Sequence, residues 1–409
     1  MTVRTLAGSP WLDSAPLRRV LAVLDGEGEE VRLVGGAVRD ALLGRPAGEV
    51  DLATTALPSE VMRRAQAAGL KAVPTGIDHG TVTVVSEGIG FEVTTLREDV
   101  ETDGRHAVVR FGRDWLADAL RRDFTMNALY ARPDGQVIDL IGGIADLEAG
   151  RVRFIGDAET RIREDHLRIL RLFRFHAGYG RGPVDPEALH AALRQREGIE
   201  RLSRERVGRE TIKLLKALGA AETVALMSET GFLGRVLGSI GHLGALERLV
   251  TLEAHLQRQA CAIRRLAALA VRIVEDAERL RERLRLSNTE YRRLVTCAGA
   301  CPVPLSPRDV RRLIYDRGEQ GAEDLIFHAA ARDAATLPEV EAALAVVGAW
   351  PVPRSPFSAA DLQARGLSSG PRLGAALRRA EQLWREADFP DSKETAESIL
   401  STVVALSEH

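Results

Sequence analysis

The segment Leu33-Val34-Gly35-Gly36-Ala37-Val38-Arg39-Asp40, followed closely by Glu49-Val50-Asp51-Leu52-Ala53, constrains this chain more than any other. Val31 to Val34 is a short apolar run and reads as a strand. The Gly-Gly that ends it predicts a tight turn into a helix carrying Arg39, since glycine adopts the backbone angles of such turns without steric cost. A second strand, Glu49 to Ala53, would project Glu49 and Asp51 from one face while Val50 and Leu52 face the core. Two adjacent carboxylates repel each other, and a bound cation relieves that repulsion. Backbone N–H groups beside Gly-Gly can approach an anion closely, as in phosphate sites. Taken singly, each piece has a plainer reading: a lone E-x-D is more often a solvated strand face, and Gly-Gly is more often just a turn. Taken jointly, they put a metal beside a triphosphate, which is the chemistry of nucleotidyl transfer.

At 409 residues the chain is too long for one typical domain, and two to four are expected. It contains no apolar run of about 18 residues, so no transmembrane helix is expected. The start, Met1-Thr2-Val3-Arg4-Thr5-Leu6, has no apolar core of signal-peptide length. The cysteines, Cys261, Cys297 and Cys301, are too few for a disulfide framework and lack zinc spacing. These features point to the cytoplasm. The net charge of −2 excludes a chain that is basic all over, but nucleic acid needs only a local basic surface. The only lysines are Lys71, Lys213, Lys216 and Lys393, so nearly all positive charge is arginine. Arginine suits bidentate phosphate and base contacts. Codon usage accounts equally well for most of that bias.

The first third mixes strand and helix signals. Pro58 opens a helix over Ser59 to Ala68 that Gly69 closes. His79 to Val85 and Phe91 to Leu96 are β-rich runs on either side of Glu87-Gly88, which predicts a hairpin. Arg97 to Arg113 is charged, carries two glycines and has weak periodicity, so it reads as a mobile loop. After about residue 145 the pattern is almost wholly helical, with arginine-rich amphipathic stretches over Glu159–Tyr179, Pro186–Gln195 and Ser203–Leu218. Pro302-Val303-Pro304 and Pro351-Val352-Pro353 mark subdomain edges. The outline is a small α/β head with a long helical body.

Three constellations carry chemistry. The first is the carboxylate pair Glu49 and Asp51, with Glu92 in a neighbouring strand as a third; on its own Glu92 is more often an exposed strand residue. In-line attack on an α-phosphate uses two ions roughly 3.5–4 Å apart, and Mg2+ prefers carboxylate oxygens. The second is Arg121-Arg122-Asp123-Phe124-Thr125-Met126-Asn127, which could clamp phosphate and ribose; the plainer reading has Asp123 capping a helix. The third is Arg163-Glu164-Asp165-His166-Leu167-Arg168. On a helix, Asp165 and Arg168 are i, i+3 neighbours. They offer acceptors and donors that match the edge of a base, or they make an ordinary surface ion pair. Leu167, Leu170 and Phe173 would pack inward.

These segments resemble the class II tRNA nucleotidyltransferase and poly(A) polymerase family, within the polymerase-β-like superfamily. The matching stretches are GGAVRD with EVDLATT, HGTVTV with FEVTTLR, RRDFTMNALY, DLIGGIADLEAGRVRFIGD and REDHLRILRLFRF, in the family's order over roughly residues 31–215. The resemblance implies an α+β fold: a polymerase-β-like head over residues 1–145, then an all-α neck (146–220), body (221–300) and tail (301–409). It implies that Gly35, Gly36 and Arg39 hold the triphosphate, that Glu49 and Asp51 are catalytic metal carboxylates assisted by Glu92, and that Arg122, Asp123 and Asn127 contact ribose and phosphate. Asp165 and Arg168 match the pair that reads the incoming base without a template, and Arg171 joins the nucleotide-binding set. The Arg97–Arg113 loop corresponds to an element used in switching from C to A. Ser358-Ala359-Ala360-Asp361-Leu362 with Gly370-Pro371-Arg372-Leu373-Gly374 resembles a tRNA-supporting tail.

The implied function is addition of CCA to tRNA 3′ ends from CTP and ATP with Mg2+, with no membrane and no protein partner involved. CC-only or A-only addition, poly(A) synthesis and a non-catalytic RNA-binding relative are the alternatives. The chain departs from the family twice. Glu49 stands where the first metal carboxylate is usually Asp, and His166 where proline is frequent, which predicts a less sharply bent helix start. There is no His-Asp phosphohydrolase signature, so no appended phosphatase is expected.

Overall fold

The computed structural model describes residues 4–103, 106–299 and 305–407. Met1 to Val3, Cys301 and Pro302-Val303-Pro304 lie outside them. The described residues form two compact units, 1–236 and 237–409. No described helix is long and apolar enough to cross a membrane.

The first unit is built on a seven-stranded mixed sheet. Its strands are β1 (Val31–Val34), β2 (Asp51–Thr54), β3 (Lys71–Gly76), β4 (Thr81–Ser86) and β5 (Ile89–Thr95), with β8 (Leu129–Ala131) and β9 (Val137–Asp139). They lie in the order β3-β4-β5-β2-β1-β8-β9. Only β2 and β5 run parallel; every other neighbouring pair is antiparallel. One face packs against the helices Ala15–Leu24 and Pro58–Ala67, which bury Leu17, Val20, Leu21 and Leu24, and Val61 and Ala65. On the other face, Val34, Ala53 and Tyr130 form a core with Leu96, Ala119, Ala128 and Ile155. The expected hairpin at Glu87-Gly88 is present, with both residues at positive φ.

Two expectations about local structure are corrected. The strand expected over Glu49–Ala53 begins at Asp51, and Glu49 lies in an exposed bend before it. The reason lies in the partner strand. Val34 pairs with Asp51 as the last residue of β1, and Gly35 then turns the chain into the helix Gly36–Leu42. No residue of β1 remains to pair with Glu49, and the ladder to β5 also begins only at Asp51, so the alternation of a strand does not govern Glu49. The segment read as a mobile loop is instead a separate two-stranded sheet of β6 (Arg97–Asp103) and β7 (His106–Phe111). The run His106-Ala107-Val108-Val109-Arg110-Phe111 has the β-branched content of a strand, and its interspersed charge hid that.

Beyond residue 145 the chain is helical, as expected. The helix Leu167–Tyr179 packs on Arg204–Lys216 and on Ala220–Glu229, with Leu167, Leu170 and Phe173 buried inward. Phe124 meets Phe175 edge to face at 5.2 Å, joining the sheet region to this helix. The second unit has one core around Leu249, Ala268, Val310, Ile326, Phe327 and Val340. A second core is built from Phe357, Leu362, Ala380, Trp384 and Leu400.

Candidate active site

The register of the sheet assembles the site. Asp51 on β2 is the direct parallel partner of Glu92 on β5, so their side chains leave the same face of adjacent strands. Glu49 reaches the same neighbourhood from its bend. Both other carboxylates are felt at Asp51, whose carboxyl is raised to about 6 by desolvation first, then by Glu92 and Glu49. Arg122 acts in the opposite direction. Both Asp51 and Glu92 are exposed as residues. Among the described residues no three His, Cys, Asp or Glu side chains converge into a ready-made metal cage. The arrangement is an open acidic edge made only of oxygen donors under mutual repulsion. That donor chemistry fits a hard divalent cation that keeps part of its water shell.

The glycine turn sits beside this edge. Gly35 has φ +71°, a conformation that favours glycine, and its N–H donates to the Leu129 carbonyl at 3.0 Å. A Cβ placed on it would lie 3.9 Å from the Arg122 guanidinium. Arg122 is in turn held by Asp118, at 3.0 Å. Asp118 is buried and also accepts from Tyr130 Oη at 2.7 Å. Burial alone would raise the Asp118 carboxyl; Arg122, Arg121 and Tyr130 outweigh burial and hold it below its ordinary value.

From the turn a chain of charged hydrogen bonds runs inward. Arg39 donates to Asn127 Oδ1 at 2.7 Å, to Asp40 at 3.0 Å and to Tyr179 Oη at 2.6 Å. Asn127 Nδ2 donates to Asp123 Oδ1 at 3.0 Å, and Arg171 Nε donates to Asp123 Oδ2 at 2.7 Å. Asp123 is nearly fully buried. Desolvation opposes its charge, and Arg171 with the bonds from Asn127 and the Phe124 N–H more than compensates. Asp123 therefore works as the hub of the network. The short 3-10 turn Thr125–Asn127 that carries Asn127 leans on Gly143, where a Cβ would fall 2.2 Å from the Thr125 carbonyl.

The base-reading motif departs from its sequence reading. Asp165 is not in a helix: it ends Ala158–Glu164 in extended conformation, and His166 starts Leu167–Tyr179. Asp165 and Arg168 do not pair through their side chains. Asp165 Oδ1 accepts from the Leu167 N–H at 3.1 Å, and Oδ2 accepts from Arg206 at 2.6 Å. Arg168 donates to the Arg161 carbonyl at 2.8 Å and pairs with Glu164. The break between the helices explains this, because it takes Asp165 off the face that Arg168 occupies. His166 has φ −61°, a value that proline would impose.

The structure thus brings Glu49, Asp51, Glu92, Gly35 and Arg122 to one edge and links Arg39, Asn127, Asp123 and Arg171 in one network. Asp165 lies close enough to act on the Arg171 charge. Gly36 starts the helix behind the turn and touches Arg39. The sequence reading missed Asp118, Tyr130, Tyr179 and Glu210. Glu210, buried on Arg204–Lys216, pairs with Arg174 and lies 3.8 Å from Arg171. Asp118 precedes Arg122 by four residues, a helical spacing that could have found it; the contacts of Tyr130, Tyr179 and Glu210 are made across longer stretches of chain.

Known proteins are similar to this chain in sequence and fold. Residues 31–153 match the family model of the poly A polymerase head domain. Residues 183–240 match that of a probable RNA and SrmB-binding site of polymerase A. The zebrafish (Danio rerio) protein named CCA tRNA nucleotidyltransferase 1, mitochondrial, is 35% identical over 388 residues, covering 91% of this chain and 87% of its own. A CCA-adding enzyme of Geobacillus thermodenitrificans is 42% identical over 221 residues, covering 53% of this chain and 54% of its own. The solved Bacillus stearothermophilus CCA-adding enzyme in complex with CTP superposes with a TM-score of 0.75 at 28% identity, over 97% of this chain and 99% of that one. On that extent of identity and coverage, the chain belongs to the CCA tRNA nucleotidyltransferase and poly(A) polymerase family.

Proposed function

We propose that this chain adds CCA to the 3′ end of tRNA from CTP and ATP without a nucleic-acid template, releasing pyrophosphate. The observation that carries the reading is the edge formed by Asp51 and Glu92 across β2 and β5, beside a glycine turn and an arginine–asparagine–aspartate network. Relatives named as CCA enzymes over most of the chain support it.

The chemistry is displacement at the α-phosphorus. The terminal hydroxyl of the RNA forms the new P–O bond and releases its proton to solvent, the bond to the bridging oxygen breaks, and pyrophosphate leaves with that electron pair. The chain uses a divalent metal, which we assign as Mg2+ held by Glu49, Asp51 and Glu92. When bound, the ion supplies Lewis-acid charge at the reacting oxygens. In this reading the turn at Gly35 and Gly36, with Arg39 and Arg122, binds the triphosphate and stabilises its charge. Asp123, Asn127 and Arg171 orient the ribose and α-phosphate. Asp165 and Arg168 meet the base edge, so that a wrong base leaves buried polar groups unpaired. The β6–β7 hairpin serves the change from C to A addition.

We assign residues 1–145 as head, 146–220 as neck, 221–300 as body and 301–409 as tail, and place the protein in the cytoplasm. In the tail, Ser358 caps its helix through Asp361. Arg365, Ser368, Ser369 and Arg372 line a cleft before the helix Pro371–Glu386. We assign that cleft to tRNA support.

The test uses tRNA transcripts ending before CCA, after C and after CC, each given CTP, ATP or both. Growth by three residues only with both nucleotides is the expected result. A stop after CC, extension of the CC-ended transcript alone, or long A tails would each replace the assignment with the corresponding partial or poly(A) activity. Binding without extension would make the chain non-catalytic.

A further inference from the structure

Within the unit 237–409, five basic side chains converge where helices begin and end. His242 precedes the helix Leu243–His255, and Arg248 lies on it. Arg272 joins Ala262–Ala270 to Val274–Leu284, and His328 and Arg332 stand at the end of Pro307–Ala331. Backbone ties hold them together. The Gly299 N–H donates to the Arg272 carbonyl at 2.8 Å, while the Gly299 carbonyl accepts from Arg332 at 3.1 Å. Arg248 Nε donates to the Ala331 carbonyl at 2.9 Å, next to Arg332. The His242 N–H donates to the Leu269 carbonyl at 2.7 Å.

Nearby carboxylates neutralise only part of the charge of this group. Asp333 pairs with Arg248 at 3.0 Å. Asp276 accepts from the Arg272 and Ile273 N–H groups and from Arg279, and Asp324 is held by Arg264 and Arg293. Among the described residues the Arg272 guanidinium has no hydrogen-bond or ion-pair partner. Arg332 Nη1 lies 3.3 Å from His328 Nε2. A guanidinium can only donate, so Nε2 accepts and the neutral ring carries its proton on Nδ1. That Nδ1 is buried and has no partner. Desolvation first, then Arg332 and Arg272, push His328 down to about 4; Arg272 is itself depressed by desolvation and by Arg332 and Arg248. Clustered cations of this kind focus a positive potential that an anion would complete. The group is open, with the Arg248 side chain 44% exposed, which suits a phosphodiester lying across a surface better than an enclosed free ion.

We propose that Arg248, Arg272 and Arg332, with His242 beside them, form a phosphate-binding site whose occupant is a backbone phosphodiester of the RNA substrate. The proposal rests on the reading of tRNA as substrate. His328 acts through Arg332, fixing its guanidinium from beneath.

Arg272→Gln is the variant of choice, because it removes a guanidinium that braces nothing. Binding of tRNA lacking CCA is measured over a range of salt concentrations, alongside CTP incorporation at saturating tRNA and melting with inorganic phosphate. Arg272→Gln should weaken tRNA binding about tenfold, the worth of one charged hydrogen bond. It should lower the salt slope by about one and leave incorporation at saturating tRNA unchanged. Arg272→Lys should restore most of the slope. Unchanged affinity and slope in Arg272→Gln, with active wild type, would overturn the site alone. Stabilisation of wild type but not of Arg272→Gln by inorganic phosphate, with tRNA affinity unchanged, would overturn the RNA occupant in favour of free phosphate. Wild type that binds no tRNA would overturn the substrate reading itself.

Discussion

Arg39 lies 4.0 Å over the ring of Tyr179 and donates to its hydroxyl at 2.6 Å. The pair ties the helix after the glycine turn to the last turn of Leu167–Tyr179. With Asp40 and Asn127 also accepting from Arg39, most of that guanidinium is engaged before any triphosphate arrives. Arg39 therefore works in part by holding Asn127 in place.

Tyr179→Leu removes both the hydroxyl acceptor and the aromatic face. Stability should fall by about 1–2 kcal/mol, and Tyr179→Phe should lose only about 1 kcal/mol. Steady-state kinetics should show KM raised for CTP and ATP alike in Tyr179→Leu, with kcat nearly unchanged. A fall in kcat alone would contradict a positioning role.

Asp51 gives a pH dependence. Its carboxyl is raised from 3.8 to about 6, by desolvation, Glu92 and Glu49. A raised value means that the protonated form favours folding. In metal-free protein that contribution is fully present below about pH 4 and is lost as pH rises through 6. Asp51→Asn cannot ionise, so without metal it should melt above wild type at neutral pH and together with it near pH 4. It should also abolish incorporation. A divalent cation should stabilise wild type at neutral pH, less so below pH 6 where protons compete, and leave Asp51→Asn unmoved. A metal-induced shift in melting that is equal above and below pH 6 would contradict the assignment.

Glu49 reaches the acidic edge from an exposed bend, and a bend can adjust to a side chain one methylene shorter. Incorporation by Glu49→Asp should stay within about fivefold of wild type, whereas Glu49→Gln should lower kcat about a hundredfold. Single-turnover incorporation of CTP and ATP checks both. Full activity in Glu49→Gln would take this residue out of the metal site.

His166 packs on Gly198, where a Cβ would fall 1.7 Å from the imidazole. Gly198→Ala should cost about 1–3 kcal/mol by overpacking. Proline fits φ −61° at position 166 and removes the ring, so His166→Pro added to Gly198→Ala should recover most of the loss. Thermal unfolding of the two variants decides it.

The parts of this site that could be read from sequence are the parts that local rules govern. Gly35 needs a positive φ, and Thr81 to Val85 and Phe91 to Leu96 alternate as a hairpin must, so turn and strands were legible. Glu49 was misplaced because the length of β2 depends on where β1 stops, which is a property of the pair. Asp165 was misplaced because a helix break at His166 leaves no proline or glycine to mark it. The partners Tyr179 and Glu210 were hidden for a third reason: their roles exist only through contacts with Arg39 and Arg174 that the fold supplies.

Base selection is where these hidden partners matter most. Asp165 meets the incoming base in our reading, yet its Oδ2 already accepts from Arg206 at 2.6 Å and its Oδ1 from the Leu167 N–H. The lone pairs left for a base edge are thus aimed by Arg206, a residue of the helix Arg204–Lys216. Arg206→Ala frees the carboxylate to rotate. The ratio of kcat/KM for correct over incorrect nucleotides should fall about tenfold, with misincorporation of UTP and GTP read on a sequencing gel. Arg206→Gln keeps a donor and should lose less. A brace of the helix pair would behave differently: removing it would lower kcat/KM for every nucleotide equally and lower the melting temperature with it. That uniform loss would leave discrimination to Arg168, which Glu164 and the Arg161 carbonyl hold independently of Arg206.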